Sequence, residues 1–177
     1  MKKIFLIIGQ SGSGKSTICE SLEKKYGYKL LRSYTTRKPR YEGEEGHIFI
    51  TKEKYELDKS AGRVIAHVYY DNNHYYTTRD ILKQSDLYIV EKAGVEYLKK
   101  EINDIKFIVI LITAEEKLRI HRMKNRGNND EEIASRIQRD KNLFKDISYN
   151  YIIENIDLTR SIRTIKDIIS MEEYRHI

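Results

Sequence analysis

The sequence has no tryptophan, one proline (Pro39) and one cysteine (Cys19). A single cysteine excludes an internal disulfide, and with no Cys/His cluster around it a zinc site has no ligands either. Cys19 therefore reads as a small buried apolar residue. Also absent are a Pro- or Ser-rich linker, an internal repeat and a low-complexity block. No apolar run approaches the roughly 20 residues that span a bilayer, so no membrane partner is expected. The opening run Ile4 to Ile8 is too short and wrongly flanked for a signal peptide, which leaves a cytoplasmic protein as the expectation. The net charge of +6 is not gathered into one basic tract. Lysines and acids are interleaved, which suits a substrate carrying several phosphates and gives no reason to expect nucleic acid as the principal partner.

At 177 residues the chain is the size of one domain, 1–177. Lys2 to Ile8 is a short, branched apolar run ended by Gly9, as in a strand buried within a parallel sheet. A helix from about Ser16 to Lys25 follows. Tyr28 to Tyr34, Leu87 to Val90 and Lys106 to Ile112 repeat the buried-strand pattern, and helical patterns follow the last two. Strands alternating with helices predict an α/β fold, a three-layer, mostly parallel sheet. Its core is expected at about 1–34 and 79–177. Between about 35 and 78 the segments shorten, including His47 to Ile50 and Arg63 to Tyr70, which predicts an inserted β-rich subdomain. From about 114 to 145 the chain is polar and helical, broken at Arg126 to Asp130 by a turn signal, and reads as a helical lid. Tyr151 to Ile153 and Asp157 to Ile169 supply a last strand and a closing helix.

The strongest motif is Gly9-Gln10-Ser11-Gly12-Ser13-Gly14-Lys15-Ser16, a complete G-x-x-x-x-G-K-[ST] between a predicted strand and a predicted helix. Its glycines let backbone N–H groups turn inward onto phosphate oxygens, and the helix start adds the positive end of its dipole. Lys15 supplies a mobile positive charge for the outer phosphates, the Ser16 hydroxyl is placed to ligate Mg²⁺, and Thr17 could touch a phosphate. The motif identifies ATP as a partner. It does not identify the acceptor.

Ser33-Tyr34-Thr35-Thr36-Arg37-Lys38-Pro39-Arg40 places two arginines around the only proline, where a stiffened backbone can hold two guanidinium groups about one phosphate. With the P-loop, this stretch resembles the Ser-x-Thr-Thr-Arg-x-Pro-Arg hallmark of the guanylate kinase family. Glu42 to Gly46 resembles that family's Glu-and-Gly turn, and Asn72 to Thr78 its Gly-Asn-x-Tyr-Gly-Thr segment. The resemblance continues to the C-terminus. It implies that Arg37, Arg40 and Tyr75 hold an acceptor monophosphate, that Ser33 and Thr77 lie beside the base, and that Asn155 lies near the ATP adenine. It also makes Arg122, Arg126 and Arg136 lid arginines that stabilise the transferring phosphoryl group alongside Lys15, whereas Arg119 and Arg139 read as salt-bridging residues.

The chain departs from the family pattern at several points. Ala66 stands where family members usually carry a guanine-reading glutamate, whose charge-assisted bonds are worth roughly 1.5 to 3 kcal/mol each. His47 or Phe49 stands in for a phosphate-binding tyrosine, and Tyr76 replaces a glycine, which is expected to add bulk near the site. Of two alternating acids only Glu91 remains, the first position being Ile89, and Glu91 could contact the base or support Mg²⁺ through water. The resemblance implies an ATP-dependent nucleoside monophosphate kinase, most simply one that phosphorylates GMP or dGMP, as a monomer or homodimer. The alternatives are a kinase for another nucleotide or for ribose 1,5-bisphosphate, and a non-catalytic binding or sensor module. Lys15, Ser16 and the lid arginines argue against the last.

Overall fold

A computed structural model describes residues 1–144 and 146–174. Lys145, at the expected end of the lid, and Arg175 to Ile177, at the expected end of the domain, lie outside the described residues. In chain order the elements are β1 (Lys2–Gly9), α1 (Lys15–Tyr26), β2 (Tyr34–Thr35), β3 (Ile48–Phe49), α2 (Lys52–Ser60), β4 (Ile65–Tyr70), β5 (Asn73–Thr77) and α3 (Arg79–Gln84). They continue with β6 (Leu87–Ile89), α4 (Lys92–Glu101), β7 (Ile105–Thr113), α5 (Glu116–Asn125), α6 (Asp130–Leu143), β8 (Tyr151–Glu154) and α7 (Leu158–Tyr174).

The apolar runs become a parallel sheet in the order β6-β1-β7-β8. Successive side chains of β1 and β7 enter two separate cores, because a strand alternates its faces. Ile4, Leu6, Ile8, Val109 and Leu111 pack with Leu82 of α3 and with Val95 and Leu98 of α4. Phe5, Ile7, Ile108, Ile110 and Ile112 pack on the other face with Ile18 and Leu22 of α1 and Ile162, Ile165 and Ile169 of α7. Helices thus cover both faces, giving three layers. Burying side chains of this size stabilises the fold by about 1.5–3 kcal/mol each. Cys19 is fully buried in the second core. Burial pushes its thiol up to about 12, so it acts as an apolar residue.

A second sheet, in the order β3-β2-β5-β4, carries the residues between the main-sheet elements α1 and α3. The expected strand over Tyr28 to Tyr34 does not form in the main sheet. Among the described residues only a single parallel bridge, Leu30 to Leu87, remains there. The ladder bonds to β6 are made on either side of Leu30, the Lys29 carbonyl accepting the Leu87 N–H at 3.1 Å and the Leu31 N–H donating to the Leu87 carbonyl at 2.8 Å, while Leu30's own N–H and carbonyl, on the outer edge, meet Glu23 and Arg32 at 3.3 and 3.1 Å. A helix, α2, stands in the segment expected to be β-rich. Thr51 caps it by accepting the Lys54 N–H at 3.2 Å. Its buried face consists of Tyr55 and Asp58, so one of its two inward residues is charged and the apolar period is hidden.

Tyr76 also differs from expectation. Its ring is fully buried, stacks on Tyr34 at 5.1 Å and donates its hydroxyl to Asp58 at 2.7 Å. The bulk enters the core of the second sheet. Ala66 sits at the register shift between Ile65 and Val68 with φ 49°, buried beside Gly94. A side chain at Gly94 would collide with Val90 and reach Ala66, so β4 rests directly on α4 there.

Candidate active site

β1 ends at Gly9, and the chain wraps back to start α1 at Lys15. Gly14 caps α1 in the left-handed region (φ 98°) with no side-chain bond to the first turn, so the open N–H groups and the helix dipole face outward. A Cβ on Gly14 would run into the Asn155 amide, which fixes glycine at this position on two grounds. Gly12 packs as closely on the backbone of Arg119.

Lys15 is half-buried and folds over the loop, its ammonium donating to the Gly9 and Gln10 carbonyls at 2.6 and 3.0 Å. Burial lowers it to about 8, partly offset by the charges of Asp140 and Glu91. Ser16 and Thr17 are exposed at the start of α1. Ser13 is fully buried, its hydroxyl without a partner among the described residues, and Ser11 is tied to Asp140 of α6 through its N–H at 2.7 Å.

Two donor-side residues are engaged with the loop itself. Asn155, expected near the adenine, is 1% exposed and donates its amide to the Ser13 carbonyl at 2.8 Å, so it supports the loop from beneath. Arg122, expected at the transferring phosphoryl group, donates to the carbonyls of Gly12, Ser13 and Asn155 at 3.3, 3.2 and 2.9 Å. It braces the loop and its support together. Arg126 is exposed at the end of α5, and its charge pushes down both Lys15 and Arg122, in each case after burial. Arg136 is half-buried on α6. Glu132 is lowered chiefly by its bonds from Asn128 and Asn129, and Arg136 and Arg40 add to this, which puts the Arg40 turn within electrostatic reach of the lid. Arg119 and Arg139 are ion-paired, with Asp140 and Glu91 respectively.

On the expected acceptor side the second sheet gathers Ser33, Arg37, His47 and Tyr75. Ser33 Oγ lies 2.9 Å from His47 Nδ1, and the His47 and Tyr75 rings meet edge-on at 5.6 Å. Burial, then the Arg37 charge, lowers His47, which favours a neutral ring. His47 thus stands beside Arg37 and Tyr75, while Phe49 lies under the Arg37 guanidinium at 5.3 Å. Arg37 is paired with Glu44 at 2.7 Å, and Arg40 is exposed. Thr77 is fully buried, its hydroxyl without a partner among the described residues, so it is not presented to solvent with the others. Glu91, at the N-cap of α4, takes Arg139 Nη2 on both oxygens at 2.7 Å, and the same guanidinium lies 4.1 Å over the Tyr70 ring.

Sequence reasoning did not single out Glu44 or Asp140. For Glu44 the available signal was an acid in a Gly-bearing turn just after the arginines. Asp140 offered none, since its partner Ser11 lies at the other end of the chain.

The family model for guanylate kinase matches residues 1–172. The guanylate kinase of Caldanaerobacter subterraneus subsp. tengcongensis is 32% identical, with 97% of this chain and 88% of that protein covered. That of Clostridioides difficile (strain 630) is 33% identical, with 96% and 88% covered. A crystal structure of guanylate kinase from Anaplasma phagocytophilum shares the fold, with a TM-score of 0.73 and 20% identity over 99% of this chain and 88% of that one. With the whole P-loop, the paired-arginine turn and helices α5 and α6 inside the matched residues, the chain belongs to the guanylate kinase family.

Proposed function

We propose that this chain transfers the γ-phosphate of ATP to GMP or dGMP, giving ADP and GDP or dGDP. The observation that carries this reading is a complete phosphate loop with Lys15 folded over it, together with a separate juxtaposition of Arg37 and Tyr75 at the second sheet, which suits a second phosphate. Family membership supports it.

The acceptor's phosphate oxygen is already ionised, so it needs no protein base. It attacks Pγ in line, and the bond from Pγ to the bridging oxygen breaks with its electron pair leaving on ADP. The protein's contribution is position and charge. Open N–H groups at the start of α1 bind the donor phosphates, Lys15 leaves its two carbonyls for their oxygens, and Arg126 and Arg136 bring positive charge from the lid. Arg37, Arg40 and Tyr75 orient the acceptor, and Ser33 with His47 lies on its nucleoside side. The family implies Mg²⁺. The exposed Ser16 hydroxyl beside the loop is a hard oxygen donor that fits it. Ser16 would hold the ion, which when bound neutralises charge between the outer phosphates.

A second reading, a kinase with broader base acceptance, is favoured by Ala66: it is buried against α4, and the nearby acid Glu91 is bound to Arg139. ADP release measured with GMP, dGMP, AMP, CMP, UMP and ribose 1,5-bisphosphate separates the readings. Turnover preferring GMP and dGMP supports the first. Turnover without that preference supports the second, and none with any acceptor rejects both.

A further inference from the structure

Glu44 lies in the turn between Arg40 and β3, and both of its oxygens are engaged. Oε1 accepts Arg37 Nη2 at 2.7 Å. Oε2 accepts Arg37 Nη1 at 3.2 Å and the Arg40 backbone N–H at 2.7 Å. The two side chains are only 13% and 8% exposed. Lys38 accepts a further bond from Nη1 at 2.8 Å. A guanidinium offers two forks, the Nη1/Nη2 end and the Nε/Nη2 side. Glu44 occupies the end. On the side, Nε is buried and has no partner among the described residues. A charged donor left unsatisfied in a buried position calls for an anionic acceptor. Tyr75, whose hydroxyl also helps hold Arg37 charged, is beside it.

We propose that Glu44 is a positioning residue for the acceptor's phosphate, gripping the Nη1/Nη2 end of Arg37 and the Arg40 backbone together so that the Arg37 Nε side faces a phosphate monoester oxygen. The opposite arrangement, in which Glu44 occupies the phosphate's place and must be displaced, would require it to take the Nε side, which it leaves free. Its anchoring by the Arg40 N–H also does not depend on Arg37. The Arg37 bonds, followed by that N–H, hold the Glu44 carboxyl down to about 2, so the grip persists across the working pH range.

This role rests on the kinase reading above, and the experiment separates the two. Wild-type turnover with GMP, AMP, CMP and UMP tests the reading. Glu44→Ala and Glu44→Gln are then compared with wild type using the monophosphate it prefers, the matching unphosphorylated nucleoside as a binding probe, and ATP. Glu44→Ala is expected to raise the KM for the monophosphate by about 10- to 100-fold, the size of a lost charge-assisted contact, with smaller changes in nucleoside affinity and in the KM for ATP. Glu44→Gln, which can still accept the Arg40 N–H, is expected to restore part of the loss. A fall in the monophosphate KM would mean that Glu44 competes with the phosphate and overturns the proposal. Equal losses for monophosphate, nucleoside and ATP would reduce Glu44 to a folding residue and overturn it too. A wild type that binds none of the four monophosphates removes both the reading and this role.

Discussion

Asp140 of α6 accepts the backbone N–H of Ser11 at 2.7 Å, so a helix of the expected lid is hydrogen-bonded directly to the phosphate loop. Arg119 of α5 completes the junction, donating to Asp140 at 3.1 Å and to the Ser11 carbonyl at 3.3 Å, and both side chains are almost entirely buried. Removing one member of such a pair leaves a buried charge without its partner, at a cost of about 3–5 kcal/mol, whereas replacing both with apolar groups is often neutral. Asp140→Ala is therefore expected to lower equilibrium stability in urea by that amount, and Arg119→Leu combined with Asp140→Ala to recover most of it. If the losses from the two single variants simply add, the pair is not coupled as described.

Lys15 connects the loop's electrostatics to pH. Burial, the largest influence, lowers its amine to about 8 from 10.5. The free enzyme therefore loses the loop's cation as pH rises through about 8, while bound ATP phosphates hold the proton on. The expected profile is a kcat/KM for ATP that declines about tenfold per pH unit above that value, with kcat at saturating ATP flat to higher pH. The stability effect has the opposite sign. Between about 8 and 10.5 the unfolded chain binds the extra proton, so the cost of burying this charge is present below that window and is relieved as pH rises through it. Lys15→Met is expected to raise the melting temperature at neutral pH, to lose that advantage towards alkaline pH, and to reduce kcat by roughly 10²–10³-fold.

Arg139 joins three parts of the molecule: its own helix α6, expected as part of a lid, Glu91 at the start of α4, and Tyr70 at the end of β4. The pair is partly exposed, with side chains 29% and 46% accessible, so it should contribute at most about 1 kcal/mol to stability. Its effect should be seen in closure. Arg139→Ala is expected to leave the melting temperature nearly unchanged and to lower kcat/KM for the acceptor by about 3–10-fold, the effect of losing an interaction of order 1 kcal/mol. The wild type should lose part of this difference as salt rises, because exposed charges are screened. A variant with unchanged kcat/KM at every ionic strength would rule out a role in closure.

The parts legible in the sequence are those whose partners are local or apolar. The phosphate loop is a contiguous segment that binds through its own backbone, and the sheet follows from branched runs such as Phe107 to Ile112 that have nowhere to go but inside. What escaped is polar and long-range. For Asn155, sequence position carries no information about which way an amide faces, and its bond to the Ser13 carbonyl could not be read from the chain. Arg122 has the same spacing as a lid arginine whether it meets a phosphate or three carbonyls. The Leu30 segment has a strand's composition and pairs with β6 through Lys29 and Leu31, yet the side chains of Glu23 and Arg32 take its outer edge and the pairing stops at one bridge.

Tyr76 separates a residue near the site from one beneath it. In place of a glycine it was expected to crowd the acceptor, but its ring is sealed between Tyr34 and Tyr55 and its hydroxyl meets Asp58, which Lys54 and Arg63 also hold at 2.7 and 2.6 Å. Tyr76→Phe removes one bond to a buried carboxylate while keeping the ring, so it is expected to cost about 1–3 kcal/mol in stability. Tyr76→Gly deletes the ring as well and is expected to cost about 3–5 kcal/mol, the range for emptying a large aromatic site. In Tyr76→Phe the KM for the acceptor should stay within about twofold of wild type, because a change of roughly 0.4 kcal/mol or less is all that a residue outside the pocket should transmit. A large KM shift in Tyr76→Phe without loss of stability would place the hydroxyl in the pocket and contradict its bond to Asp58.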